Sequence, residues 1–269
     1  VGMTTPTYRI APPTTADRIR WTFQDSWSIA RRDLIATARK PEMLTFGVIM
    51  GVFFLLLFYY VFGGAIGAGT GVDYIQYLVP GIFVITVLTG AQQTGTGVAL
   101  DLAEGVTNRF RSLPMSQAAV IAGRTVADSL RNTVAVLLVA VVGYLMGFRF
   151  ASVGGAIGAI AITIGMGFAF SWLNGAIAAK VRNAEMVGML SMFWLFPLML
   201  ASTAFAPVES MPGWLQGFAK YQPISTASNA ARALSNGVPA GEYVWQSLVW
   251  IVVLLAIFIP LAVRLYRKP

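Results

Sequence analysis

Six apolar stretches, each near or above twenty residues, dominate the chain at 43–62, 74–100, 118–148, 151–179, 186–206 and 243–263. A hydrocarbon core about 30 Å thick is crossed by about 20 helical residues, so each stretch predicts one transmembrane helix. The third is mixed: its first half carries Arg124, Asp128 and Arg131, whereas Thr133 to Phe148 has no charge. Pro80-Gly81 predicts a bend near one end of the second span. The expected fold is an all-α polytopic membrane protein, and an even number of spans puts both ends of the chain on one side.

Lys and Arg fix which side that is. The N-terminal segment holds Arg9, Arg18, Arg20, Arg31, Arg32, Arg39 and Lys40, and the segment between the second and third spans holds Arg109 and Arg111. Lys180, Arg182, Arg264, Arg267 and Lys268 fall on the same side, against only Arg149, Lys220 and Arg232 on the other. The positive-inside rule therefore predicts cytoplasmic termini, which accounts for the net charge of +8 without a nucleic-acid partner. The first 40 residues lack the apolar core of a signal peptide.

Two segments outside the spans have helical patterning of their own. Ile19, Phe23, Trp27, Ala30, Leu34 and Ala38 recur at spacings of three or four, with Arg18, Asp25, Arg31, Arg32 and Asp33 on the other sides. This predicts an interfacial amphipathic helix over 18–40, stopped by Pro41; a solvated basic arm is the alternative. Residues 1–17 are expected to be a disordered lead. Between the second and third spans lies a charged island, 101–124, in which Leu102, Val106, Phe110 and Leu113 form an apolar ridge that Pro114 ends. Such an island either docks against a protein outside the bilayer or serves as an inner loop whose arginines orient the spans.

Composition narrows the chemistry. Hydrophobic residues make up 57% of the chain and charged residues 11%, well away from the balance of a soluble domain. There is no Cys and no His, which removes thiol nucleophiles, thiolate metal sites and the commonest general base. Neither a serine with a base nor a pair of aspartates at membrane depth can be assembled, so no catalytic residues and no metal site are expected. A proton-coupled secondary exporter is the rival transport mechanism, with Asp128 or Glu185 as its titrating acid, but no internal repeat supports it.

The string Arg109-Phe110-Arg111-Ser112-Leu113-Pro114-Met115-Ser116 resembles the loop between the second and third spans of ABC type-two exporter permeases, in particular the daunorubicin-resistance class. Tyr60-Val61-Phe62-Gly63-Gly64, Leu78-Val79-Pro80-Gly81 and the stretch from Phe205 through Pro207, Val208, Glu209, Met211, Pro212 and Trp214 to Leu215 are similar to the same class, although Gln117 stands where that class has Arg. The resemblance implies a permease that works as half of a dimer, with an identical or paralogous second permease, in the plasma membrane. It also implies a separate cytoplasmic ATPase that holds ATP and Mg, in keeping with the lack of a G-x-x-x-x-G-K-[ST] phosphate loop here. The implied coupling helix comprises Asp101, Glu104, Gly105, Val106, Arg109, Phe110, Arg111, Leu113 and Pro114. The cargo would be a hydrophobic or amphipathic drug, a lipid or a lipid-linked glycan.

Three polar regions are candidates for handling that cargo. By resemblance, 207–242 is a pair of short helices re-entering the outer leaflet, with corners at Pro212-Gly213 and Pro223 and a gate at Pro207, Met211, Pro212, Trp214 and Leu215; a plain extracellular loop is the alternative. Arg124, Asp128 and Arg131 share one helical face at spacings of four and three. That face is either a self-neutralising network, with an Arg on each side of Asp128, or a polar wall of a cavity. Thr89, Gln92, Gln93 and Thr96 form a second polar stripe that could line a path.

Overall fold

A computed structural model describes residues 41–70, 73–103 and 117–267. The predicted lead, the predicted 18–40 helix and Glu104, Gly105, Val106, Arg109, Phe110, Arg111, Leu113 and Pro114 of the coupling island lie outside the described residues. Among the described residues the regular structure is helical throughout: α1 (Pro41–Thr70), α2 (Tyr74–Ala103), α3 (Gln117–Leu145), α4 (Val153–Val181), α5 (Ala184–Leu200), a 3-10 turn (Val208–Ser210), α6 (Gly213–Tyr221), α7 (Pro223–Asn236) and α8 (Gly241–Arg267). Four helices are long and apolar enough to cross a membrane: α2, the 123–145 part of α3, α4 and the 241–265 part of α8. Two more apolar helical stretches, Val48–Gly64 and Ala184–Leu200, are shorter. The chain is a multi-pass membrane protein.

Helix α2 is the axis of the bundle. It packs against α1, α3, α4, α5 and α7, and 89% of its most apolar window is buried, against 11% for α8. Leu78, Val79, Ile82, Phe83, Val84 and Val87 of α2 are fully buried, and they meet Leu55 of α1, Val136 and Val139 of α3, Met166 of α4 and Ile224 of α7. In α8, Trp245, Val252 and Ile257 remain exposed, as expected of a helix whose partner on that side is lipid. The helix runs through Pro80, which removes one backbone donor without ending the element. Gly81 beside it is required by packing: a Cβ there would lie 2.8 Å from the Ala204 carbonyl carbon and 2.9 Å from its Cα.

Local chemistry sets the connections. Gly147, at φ +112, turns the chain after α3, and Phe148 folds back so that its N–H donates to the Gly143 oxygen at 2.9 Å. Ser152 caps α4 by accepting from the Gly155 N–H at 3.0 Å, and Asn183 caps α5 by accepting from the Met186 N–H at 3.0 Å. Several of the sequence-based boundaries change; the first helix, for one, runs over Pro41–Thr70 rather than 43–62. The third helix stops at Leu145 rather than 148, and the fifth stops at Leu200 rather than 206. In the fifth, hydropathy cannot see the cause: 201–206 is turned so that Thr203 meets α7, with the Thr203 N–H donating to Ser225 Oγ at 3.0 Å.

Candidate functional site

The C-terminal end of α2 is tied to α3. Asp101, on the last turn of α2, forms an ion pair with Arg124, and a Cβ on Gly97 would sit 2.8 Å from the Arg124 Cζ, so the guanidinium lies directly against the α2 backbone. Asp101, one of the residues expected in the coupling helix, joins the C-terminal turn of α2 to α3. Arg124, one helical turn from Asp128, thus spends its charge on Asp101. Asp128, 4% exposed, pairs through Oδ1 with Arg131 Nη2 at 2.8 Å, and its Oδ2 is buried with no hydrogen-bond partner.

The second polar stripe is spent largely on packing. Thr89 and Thr96 donate to the Ile85 and Gln92 carbonyls of their own helix, at 3.0 and 3.4 Å. Gln92 Nε2 donates across to the Gly188 oxygen of α5 at 3.1 Å, while Gln93 is half-buried on the same helix. One turn away, Ser191 of α5 donates to Asn174 Oδ1 of α4 at 2.7 Å in a buried contact. These bonds stitch α2, α4 and α5 together, and none of the four stripe residues lines either cavity described below.

The opposite end of α2 carries the richest polar arrangement, and its centre is Arg232 of α7. Its Nε donates to the Tyr77 oxygen at 3.0 Å, its Nη2 to the Thr203 oxygen at 2.9 Å and its Nη1 to Asn229 Oδ1 at 2.6 Å. The guanidinium carbon lies 3.5 Å from the centre of the Tyr77 ring, a cation–π contact. The Tyr77 hydroxyl donates to the same Thr203 oxygen at 2.8 Å, and the Tyr74 hydroxyl to the Phe205 oxygen at 3.0 Å. Gln222 extends the seam by donating through Nε2 to the Leu198 oxygen at 2.9 Å, which satisfies a carbonyl at the end of α5. Helix α7 approaches closely because buried Ser225, Ala227, Ser228, Ala230 and Ala231 are small.

Arg232 borders a cavity of about 620 Å³ that is also lined by Tyr77, Pro207, Glu209, Gln216, Lys220 and Tyr243. Of the five expected gate residues, one borders it. Pro207 lines the cavity, Pro212 precedes α6 and accepts from the Leu215 N–H at 2.8 Å, and the Met211 oxygen accepts from Gln216 Nε2 at 2.9 Å. Leu215 is half-buried, whereas Trp214 is 82% exposed and points away from the bundle's interior. On the far side of α6, a second, apolar cleft of about 540 Å³ is lined by Phe170, Trp194, Phe218, Tyr221, Trp250 and Leu254 among others. Pro212-Gly213 and Pro223 stand at the starts of α6 and α7, where proline's fixed φ and missing N–H suit a helix entry. Sequence reasoning missed Arg232, which was counted only as a loop charge. The available signal was that it is the one charged residue in the small-residue segment 223–236.

Comparison with known proteins agrees with this architecture. Residues 24–235 match the ABC-2 type transporter family. The chain is 37% identical to the daunorubicin resistance ABC transporter permease protein DrrB1 of Streptomyces coeruleorubidus, over 95% of this chain and 89% of that one. It is 27% identical to the probable doxorubicin resistance ABC transporter permease protein DrrC of Mycobacterium tuberculosis, over 88% and 86%. It is 25% identical to the putative transport permease ycf38 of Porphyra purpurea, over 78% and 73%. In this family the ATPase is a separate protein, so the chain is the permease partner of an ATPase subunit. The family match over residues 24–235, together with 37% identity to an ABC transporter permease over 95% of the chain, makes this chain a member of the ABC-2 type transporter family.

Proposed function

We propose that this chain is the membrane-spanning subunit of a drug-resistance exporter, moving a hydrophobic or amphipathic compound out of the cell when a partner ATPase binds ATP and Mg. Daunorubicin and doxorubicin, named in the relatives' descriptions, are the first compounds to test. The arrangement is six spans in the plasma membrane with both termini cytoplasmic, two permeases side by side, and α6 and α7 as helices that re-enter the outer leaflet. Helix α5, at 17 residues, covers about 26 Å, and the turned segment 201–206 completes its crossing.

The observation that carries the reading is the reach of α2. Its 30 residues span about 45 Å, from Ala103, where the coupling segment begins, to Tyr74 and Tyr77, which hold the Phe205 and Thr203 carbonyls. The ATPase pushes on the ridge that includes Phe110; Asp101 and Arg124 keep the inner ends of α2 and α3 together; and α2 carries the displacement to the segment holding Pro207, Met211, Pro212, Trp214 and Leu215. One rigid helix thereby links nucleotide binding to the outer gate. The test is the transporter reconstituted with its ATPase and carrying Arg109→Glu or Phe110→Ala. ATP turnover should continue while drug export falls at least tenfold; export at the wild-type rate in both variants refutes the proposal.

A further inference from the structure

Arg232 is a cation without an anion. It is part-buried at the α6–α7 end of the bundle, its three hydrogen bonds go to two backbone oxygens and an amide, and among the described residues no carboxylate lies within ion-pairing distance of it. A guanidinium has five N–H donors, so these three bonds leave one N–H on each terminal nitrogen. A sheltered charge with only neutral partners is an expensive arrangement in a membrane protein, and it favours a site that an anion completes.

The surroundings supply the rest of such a site. Lys220 lines the same cavity and is likewise outside ion-pairing distance of any described carboxylate, with its Nζ 5.4 Å from the centre of the Tyr221 ring. Glu209 is the single carboxylate among the lining residues, so the cavity's formal charge is positive. Helix α6 divides its surface between two environments. Gln216, Gly217 and Lys220 face the polar cavity, while Trp214, Phe218 and Tyr221, at spacings of four and three, are exposed on the opposite side. An aromatic stripe opposite a polar face that carries a lysine is the pattern of a helix lying at headgroup depth. Gly217 borders both the polar cavity and the apolar cleft with Phe218, Trp250 and Leu254, so a polar and an apolar compartment adjoin across this short helix.

We propose that Arg232 and Lys220 bind the phosphate of an anionic phospholipid at this end of the bundle, with its acyl portion against the aromatic face of α6. The phosphodiester completes the guanidinium's bonding, and the lipid holds α6 against α7 beside the gate segment. A phosphate could also come from solution, but the aromatic stripe and the adjoining apolar cleft favour the lipid source. The inference does not depend on the export reading, because what is measured is binding.

The test is native mass spectrometry of the detergent-solubilised permease–ATPase complex, titrated with phosphatidylglycerol, with diacylglycerol of the same chains, and with inorganic phosphate. Phosphatidylglycerol should bind about tenfold tighter than diacylglycerol, as expected for a charge-assisted contact. Lys220→Gln should weaken phosphatidylglycerol about threefold and Arg232→Gln about tenfold, without changing diacylglycerol retention. Lys220 is exposed, so its variant decides the matter even if Arg232→Gln fails to fold. Equal retention of the two lipids, or wild-type phosphatidylglycerol binding by Lys220→Gln, overturns the site. Inorganic phosphate that displaces the lipid at equal affinity overturns the lipid assignment in favour of a soluble anion.

Discussion

Replacing Gly81 with Ala tests how firmly α2 grips the turn at the far end of the bundle. The added Cβ would lie 2.8 Å from the Ala204 carbonyl carbon and 2.9 Å from its Cα, where ordinary contact begins at 3.4 Å. These atoms and the Ala204 carbonyl oxygen, which is nearer still, are all backbone, so no rotamer change relieves the clash, and α2 must separate from 201–206 by more than about 0.6 Å. The same movement stretches the bond from the Tyr77 hydroxyl to the Thr203 oxygen, now 2.8 Å, and that from the Tyr74 hydroxyl to the Phe205 oxygen, now 3.0 Å. Overpacking costs about 1–3 kcal/mol and each weakened bond about 1 kcal/mol, while Ala improves the helix by about 1 kcal/mol; the net loss is about 2–4 kcal/mol. The assay is unfolding of the purified chain by SDS titration, with Gly154→Ala as the comparison, since nothing lies within 4 Å of a Cβ there. Gly81→Ala should unfold at a clearly lower SDS fraction than Gly154→Ala. Unfolding at the same point refutes the proposed grip.

Two further substitutions probe the charged contacts. Asp128→Asn leaves the part-buried Arg131 guanidinium without its anion and should cost about 3 kcal/mol of stability while the range of exported compounds stays unchanged; normal stability with an altered range would make this face part of the substrate path. Arg124→Asp should reduce export by parting α2 from α3, and adding Asp101→Arg should restore it, because the pair is partly exposed and either polarity can bridge the helices; failure of the double variant to recover disproves the bridge.

The helices were legible in the sequence because hydrocarbon demands long apolar stretches, and the chain provides them at 74–100, 151–179 and 243–263 with few interruptions. Their ends were less legible. Ala201 to Phe205 carry no charge, yet the carbonyls of Thr203 and Phe205 are used by Arg232, Tyr77 and Tyr74, a tertiary arrangement that no hydropathy window contains. The same limit explains Arg124. On its own helix it stands one turn from Asp128, but Asp101, 23 residues earlier, takes it. Arg232 was invisible for the opposite reason: a single arginine among small residues looks like a topology signal until folding brings Tyr77 under it, 155 positions away. The proposed re-entrant pair and gate rest on family resemblance, since Pro212-Gly213 and Pro223 mark corners without saying what the corners enclose.

The central claim is that motion enters through the segment between α2 and α3. The chain contains no cysteine, so Phe110→Cys introduces a unique reactive position. Cross-linking that position in native membranes containing the partner ATPase, with and without ATP, tests the claim most directly. The account predicts a permease–ATPase adduct whose yield changes with nucleotide and whose formation blocks drug export. A cysteine that reacts only with impermeant reagents from the outside, or that forms no adduct with the ATPase, contradicts it.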